Sequence, residues 1–374
     1  MIAACLRRSA AFGGDMQPVG NTAIPFREWM RRALFDPDTG YYTTNVRTVG
    51  RRGDFSTSAT AGTLLGEAVA AWLKEQMRRQ RGVRAVIEVG GGSGVLSATV
   101  RDSLGWWPRW KMGWHMVEAS PVLRAQQQQK LGEGAAVWHE SMEAAMDATD
   151  GRAFVFHNEL VDAFPATLLQ WDEPSRTWCE IWMRRDEAAG VWREELGAAV
   201  AGGIDGGVPL EDGLLAVALS EEAWPQNTLR HGQKVEVHCS YQEWLESWAR
   251  SWQEGAMLTL DYGDAFPAVC HRQPRGTLRA YFAQQRLTGA EVYQRMGRQD
   301  ITADVNFTDL QHWGESLGWR TDVLETQSSF INRHIGNAAE RAKANAADAF
   351  VLDPAGAGGA FKVLAQRPPH APAA

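Results

Sequence analysis

The stretch that most constrains this chain is Ala85-Val86-Ile87-Glu88-Val89, then Gly90-Gly91-Gly92-Ser93-Gly94, then Val95-Leu96-Ser97-Ala98-Thr99-Val100. A short β-branched run meets a glycine loop and passes directly into a helical segment. That is the opening βα unit of a parallel sheet. The pattern repeats with fewer glycines. The sequence predicts a strand over 111–117 ending at Glu118, a helix over 121–131, and short strands at 137–138 and 153–156, the last ending at Asn158-Glu159. Strands alternating with helices imply a sheet covered on both faces. Ahead of it, residues 22–80 read as mostly helical, broken by the turn Pro37-Asp38-Thr39-Gly40. After Pro165 the pattern changes. Strands are expected at 168–171, 178–183 and 191–195, a glycine-rich loop at 197–213, and a helix over 236–252. A buried strand over 255–261 follows, then helices near 307–317 and 338–348, and a last strand near 361–365. No internal repeat occurs.

The loop discriminates between ligands. A nicotinamide fingerprint needs G-x-G-x-x-G/A, and counting from Gly90 the last position is Val95. No G-K-[ST] occurs, which excludes a P-loop. Glu88, two residues before alternating glycines, instead suits S-adenosylmethionine (SAM), whose sulfonium and amino group are cationic and which carries no phosphate. Glu118 ends the next predicted strand, where an acid can accept both ribose hydroxyls. Asn158, Glu159, Asp162 and Asp261 also fall at or just after strand ends, so four strand ends point at one crevice. Each signal has a plainer reading beside it. A glycine turn can simply join strand to helix, Glu118 can be solvated, Asp162 can cap a helix and Asp261 can serve the turn before Gly263.

Composition removes other classes. The formal net charge is −7, which argues against a nucleic-acid protein working through bulk positive charge. Cys5, Cys179, Cys239 and Cys270 form no C-x-x-C pair and the histidines no H-x-x-x-H, so no metal site and no disulfide framework are expected, in keeping with a reducing compartment. No apolar run is long enough to span a membrane. Residues 1–14 contain Arg7, Arg8 and no acid, which is weakly transit-like; a start at Met16 is the preferred reading, and the tail after Gln366 is expected to be disordered. The 17 Trp ask for a large core, an aromatic groove, or both.

The motifs, in order and spacing, resemble the MidA family of SAM-dependent methyltransferases over roughly Ile24 to Leu364. The matching pieces include Gly40-Tyr41-Tyr42, Gly53-Asp54-Phe55-Ser56-Thr57-Ser58, Glu88 through Gly94, Val117-Glu118-Ala119-Ser120 and Asn158-Glu159-Leu160-Val161-Asp162. They continue with Asp261-Tyr262-Gly263, Gly276-Thr277-Leu278-Arg279-Ala280-Tyr281 and Asp300 through Phe307. The resemblance implies an α/β class I methyltransferase core, a Rossmann-like doubly wound sheet, with an N-terminal helical cap and an inserted β-containing segment. The corresponding division is a lead over 1–20, a cap over 21–82, a core over 83–165 and 254–366, an insertion over 166–253 and a tail over 367–374. It implies SAM as methyl donor. Gly90, Gly92 and Gly94 would line its methionine end, Glu118 its ribose, and Asp54 and Ser58 the cofactor-facing cap, with Asn158 and Glu159 beside the reacting methyl. For mitochondrial members it implies dimethylation of a protein arginine and assistance to respiratory complex I assembly. The partner would be a protein, such as a complex I subunit, in the cytoplasm of a bacterium or the matrix of a mitochondrion; the oligomeric state, a homodimer among the options, stays open. The sequence departs from the family at Gly91, Ser93, Leu160-Val161, Phe164 and Asn306.

An arginine nucleophile is protonated in water, and a carboxylate pair can grip it and take its proton late. Glu159 is the expected grip, with Asp162 and Asp261 as helpers and Asn158 orienting substrate. The alternatives are a methyltransferase-fold assembly factor with a vestigial site, a SAM enzyme acting on a small molecule, and, most distant, a nicotinamide enzyme.

Overall fold

The structure is a computed structural model describing residues 23–45, 62–199, 224 and 228–369. The expectations for the lead, for Asp54 and Ser58, for most of the glycine-rich loop and for the end of the tail lie outside the described residues.

Seven strands form the path of the main sheet: β1 (Ala85–Val89), β2 (Gly113–Val117), β3 (Val137–His139), β4 (Ala153–Asn158), β5 (Met257–Asp264), β6 (Arg320–Thr326) and β7 (Phe361–Arg367). Their spatial order is β6-β7-β5-β4-β1-β2-β3, and the two-residue strand Val305–Asn306 adds on to the end of β5. β1 to β5 are mutually parallel, while β7 runs antiparallel to both neighbours. The order reverses between β1 and β4, which places a crevice beyond their carboxyl ends.

Both faces are covered, and the strand composition follows from that. All five residues of β1 are buried. Alternate residues go to opposite layers. Val86, Phe154, Phe156 and Leu258 pack with Leu65, Val69, Leu73 and Val100 of two helices, Leu64–Arg79 and Val95–Leu104. Ile87, Val89, Val155 and Met257 face the other layer, with Trp244 and Trp248 of helix Cys239–Trp248 and Leu310 and Trp313 of helix Phe307–Ser316.

A second, five-stranded antiparallel sheet contains Thr167–Asp172, Thr177–Asp186, Val191–Ala199 and Lys234–Val237. Its remaining strand is Ile24–Pro25, which leads directly into helix Phe26–Phe35. A third sheet joins Gln285–Thr288, Arg279–Phe282 and Asp300–Thr302. This last sheet, strand β6 and helices Met142–Ala148 and Gln327–His334 were not among the sequence expectations.

Two expected helices are corrected. In the span 236–252, Lys234–Val237 is a strand that buries Val235 and Val237 and pairs with Thr167–Gln170; the helix begins only at Cys239. The span 338–348 splits into Ala338–Ala344 and Ala346–Leu352, because Asn345 leaves helical geometry and its side chain caps the second piece through Ala347 N–H.

The tryptophans mostly fill the interior. Trp171 and Trp178 of the second sheet are buried with ring centroids 5.6 Å apart and pack against each other. Among the described side chains, Trp106 and Trp110 are the clear exceptions, each 75% exposed.

Candidate functional site

The glycine loop is built by its backbone. Gly90 N–H donates to the Val117 carbonyl at 3.0 Å, tying the loop to the end of β2. Gly90, Gly92 and Gly94 have φ of 64°, 52° and 79°, the left-handed region that glycine adopts without strain. Gly90 has a second requirement: a Cβ there would stand 2.7 Å from Leu160 Cδ1. The loop at the end of β1 and the turn after β4 are therefore in contact across the crevice.

Glu88 lies beneath this loop. Its carboxylate accepts the Ser97 hydroxyl, and Ser97 Oγ also receives Trp114 Nε1 at 2.9 Å. Burial pushes the Glu88 carboxyl up to about 7, against the opposing effect of the Ser97 hydrogen bond. Glu118 is buried at the end of β2. Ser120 N–H donates to Oε1 at 2.9 Å and Gln127 Nε2 to Oε2 at 3.1 Å; burial raises its pKa. Gln127 Nε2 also donates to the Gly92 carbonyl at 2.9 Å, and its Oε1 receives Trp138 Nε1 at 2.9 Å. Gln127 thus couples the expected ribose acid to the glycine loop. Sequence reasoning missed it, since it is one of four consecutive glutamines.

On the other side of the crevice, Asn158 ends β4 and its Nδ2 donates to Glu159 Oε1 at 3.1 Å. Glu159 has φ 51°, uncommon for a residue with a side chain, and its N–H is held by the Leu260 carbonyl at 2.9 Å. Strain of this kind persists where the surroundings over-determine it. Here the determinant is Asp261. Its Oδ2 accepts N–H groups from Leu160 (3.2 Å), Val161 (2.9 Å) and Asp162 (3.4 Å), and its Oδ1 accepts Tyr262 N–H at 2.9 Å. Asp261 is fully buried, and through these four hydrogen bonds its carboxylate holds the turn that carries Glu159. Burial, then the charges of Asp162 and Glu159, hold its pKa well above the ordinary carboxylate range.

Asp162 is buried as well. Its Oδ2 accepts the Tyr262 hydroxyl, while Oδ1 has no partner. Around it stand residues quoted as motif pieces but given no role from sequence. Tyr42 hydroxyl donates to Asp300 Oδ1 at 2.7 Å. The Arg279 guanidinium lies 4.2 Å from the Tyr262 ring centre and pairs with Asp304 at 2.5 Å. Thr277 Oγ1 receives Asp304 N–H at 2.9 Å. Asn306, a family departure, still caps helix Phe307–Ser316 through Thr308 N–H at 3.2 Å, as an aspartate would. Among the described residues no cluster of three His, Cys, Asp or Glu is arranged to hold a metal, and no helix is long and apolar enough to cross a membrane.

The reversed last strand, the glycine loop at the end of β1 and the acid at the end of β2 together define a class I SAM-dependent methyltransferase. Residues 64–324 match the family described as "Putative S-adenosyl-L-methionine-dependent methyltransferase", and the chain belongs to that family, the MidA type. A relative from Drosophila melanogaster, named "Protein arginine methyltransferase NDUFAF7 homolog, mitochondrial", is 28% identical over 79% of this chain and 67% of its own length. One of the same name from Caenorhabditis elegans is 24% identical over 43% of this chain and 42% of its own. A COG1565 superfamily member from Burkholderia thailandensis, crystallised with S-adenosyl-homocysteine, shares the fold with a TM-score of 0.70 and 23% identity, over 98% of this chain and 93% of that one.

Proposed function

We propose that this methyltransferase modifies an arginine side chain of a protein partner. The observation that carries the reading is the strained Glu159, held at the switch point of the sheet with its turn packed on the glycine loop. The names of the two curated relatives support it.

The residues present fit the cofactor. Gly90, Gly91, Gly92 and Gly94 add no side chain to the loop, and buried carboxylates stand at the ends of β1 and β2 beside it, Glu88 and Glu118. Gly90, Gly92 and Gly94 would receive the methionine end and Glu118 the ribose; Asp54 and Ser58 remain assigned to the cap side on the resemblance alone. Bound there, SAM supplies an electrophilic methyl carbon in a site that need only align the nucleophile and exclude water. Glu159 accepts N–H groups of the guanidinium, which raises electron density on the nitrogen presented to the methyl, and takes the proton that nitrogen sheds. Asn158 restrains the Glu159 carboxylate. Asp261 fixes the turn.

The partition into cap, core and insertion stated from sequence belongs to the same reading, as do a bacterial cytoplasmic or mitochondrial matrix setting and a complex I subunit as target. The test is mass spectrometry of a deletion lysate given the purified enzyme and methyl-labelled SAM. Label on arginine of a discrete protein is expected. Label on a small molecule, or none with SAM bound, would favour one of the alternative classes.

A further inference from the structure

We infer that Asp162 and Asp300 form a receptor for the positive charge of the substrate side chain, set behind Glu159. Three observations carry it. First, Asp162 Oδ1 is buried without a hydrogen-bond partner, whereas Oδ2 is satisfied by Tyr262. A buried carboxylate oxygen left unmade is costly, so the position asks for a donor. Second, Asp162 begins three residues after Glu159 on one turn, and the Asp261 carboxylate clamps three consecutive N–H groups of that turn. The two acids are thereby fixed relative to each other.

Third, among the described residues the acids around this pair outnumber the cations. The described titratable and charged groups around Asp162 and Asp300 are Tyr42, Tyr262, Arg279, Asp304 and Asp261, with His238 hydrogen-bonded to the Asp162 backbone. Among these described groups Arg279 is the one cation, engaged with Asp304 and stacked on Tyr262, while burial holds the His238 pKa down at about 4 and keeps it neutral. Burial and then the Asp162 charge push the Asp300 carboxyl up to about 7, and burial raises Asp162. An incoming cation relieves this repulsion and releases a proton when it binds below neutrality. Tyr42 donates to Asp300 and Tyr262 to Asp162 Oδ2, which leaves Asp162 Oδ1 for the ligand. The chemistry selects a cationic side chain, and this rests on the arginine reading for the choice of guanidinium.

The experiment uses the full chain saturated with S-adenosyl-homocysteine and calorimetric titration with propylguanidinium, propylammonium and the neutral isostere propylurea. Propylguanidinium is expected to bind at least about threefold more tightly at pH 8 than at pH 5.5, with proton release, and propylurea not to bind. Asp162→Asn and Asp300→Asn should each weaken it at least about fivefold and flatten the pH dependence. Unchanged S-adenosyl-homocysteine affinity checks that each variant is folded. Tyr42→Phe, a milder change, should keep binding but move its pH midpoint upward, because a hydrogen bond to the Asp300 carboxylate is lost. Equal binding of propylurea, or wild-type binding by both Asp variants, would overturn the receptor. Preference for propylammonium, lost in both variants, would keep the receptor and remove arginine as the nucleophile.

Discussion

Leu160 rests on Gly90: a Cβ at residue 90 would come 2.7 Å from Leu160 Cδ1. One side belongs to the cofactor loop and the other to the turn that carries Glu159. Gly90→Ala should therefore damage both, with SAM affinity falling about tenfold or more. Part of the loss is the left-handed backbone, roughly 1 kcal/mol for alanine, and part is the collision. Adding Leu160→Ala should recover the collision part only. Isothermal titration of the single and double variants tests this; a double variant no better than Gly90→Ala would refute the contact.

Glu159 sits at φ 51°, a conformation that glycine adopts without strain. Glu159→Gly relieves the backbone strain while raising the entropy of the unfolded chain, so the two effects oppose each other. The melting temperature should stay within about 2 °C of wild type, S-adenosyl-homocysteine should bind within about twofold, and methyl transfer should fall at least about a hundredfold. Retained methylation would sink the role given to Glu159.

Asp261 contributes through four backbone N–H groups. Asp261→Ala strands buried donors, each worth about 1–3 kcal/mol if left unpaired. A marked loss of thermal stability is expected, larger than for Asp261→Asn, which keeps one acceptor oxygen. Circular dichroism melts of the two variants decide it; equal stability would mean that the clamp is dispensable.

Glu88 supplies a pH test. Its folded carboxyl is raised to about 7, against an ordinary value of 4.5. The fold therefore has the full benefit of the neutral form below about pH 4.5 and loses it as pH rises through about 7. Glu88→Gln removes this dependence. Relative to wild type the variant should gain up to about 3 kcal/mol between pH 5 and pH 8. Denaturant unfolding at several pH values measures the gap. The gap should widen with pH even though Asp300 and Asp309, each raised to about 7 by burial, give both proteins a residual slope.

What the sequence disclosed was local. The strand, glycine loop and helix from Ala85 to Val100 are contiguous, so their geometry could be read from spacing, and Glu118 followed from its place at a strand end. Gln127 was hidden because nothing local distinguishes it from Gln126, Gln128 and Gln129; only the helix phase turns it toward Gly92. The Tyr42–Asp300 hydrogen bond joins residues 258 positions apart, through strands of three and four residues too short to show a period. Asp261 was found at the right strand end, but its role depended on where the neighbouring turn directs its N–H groups, which no pattern in the chain records.

The antiparallel strand β7 lies in the interior of the main sheet, between β5 and β6. On the ribosome, β5 is complete about a hundred residues before β7 is made, roughly 5–20 s of synthesis. Throughout that interval β5 presents an unpaired edge of Met257-Leu258-Thr259-Leu260, an apolar template of the kind that recruits foreign strands. Nascent chains of this protein are thus exposed to aggregation late in translation, and holdase chaperones that cover sheet edges should raise its soluble yield more than added cofactor does.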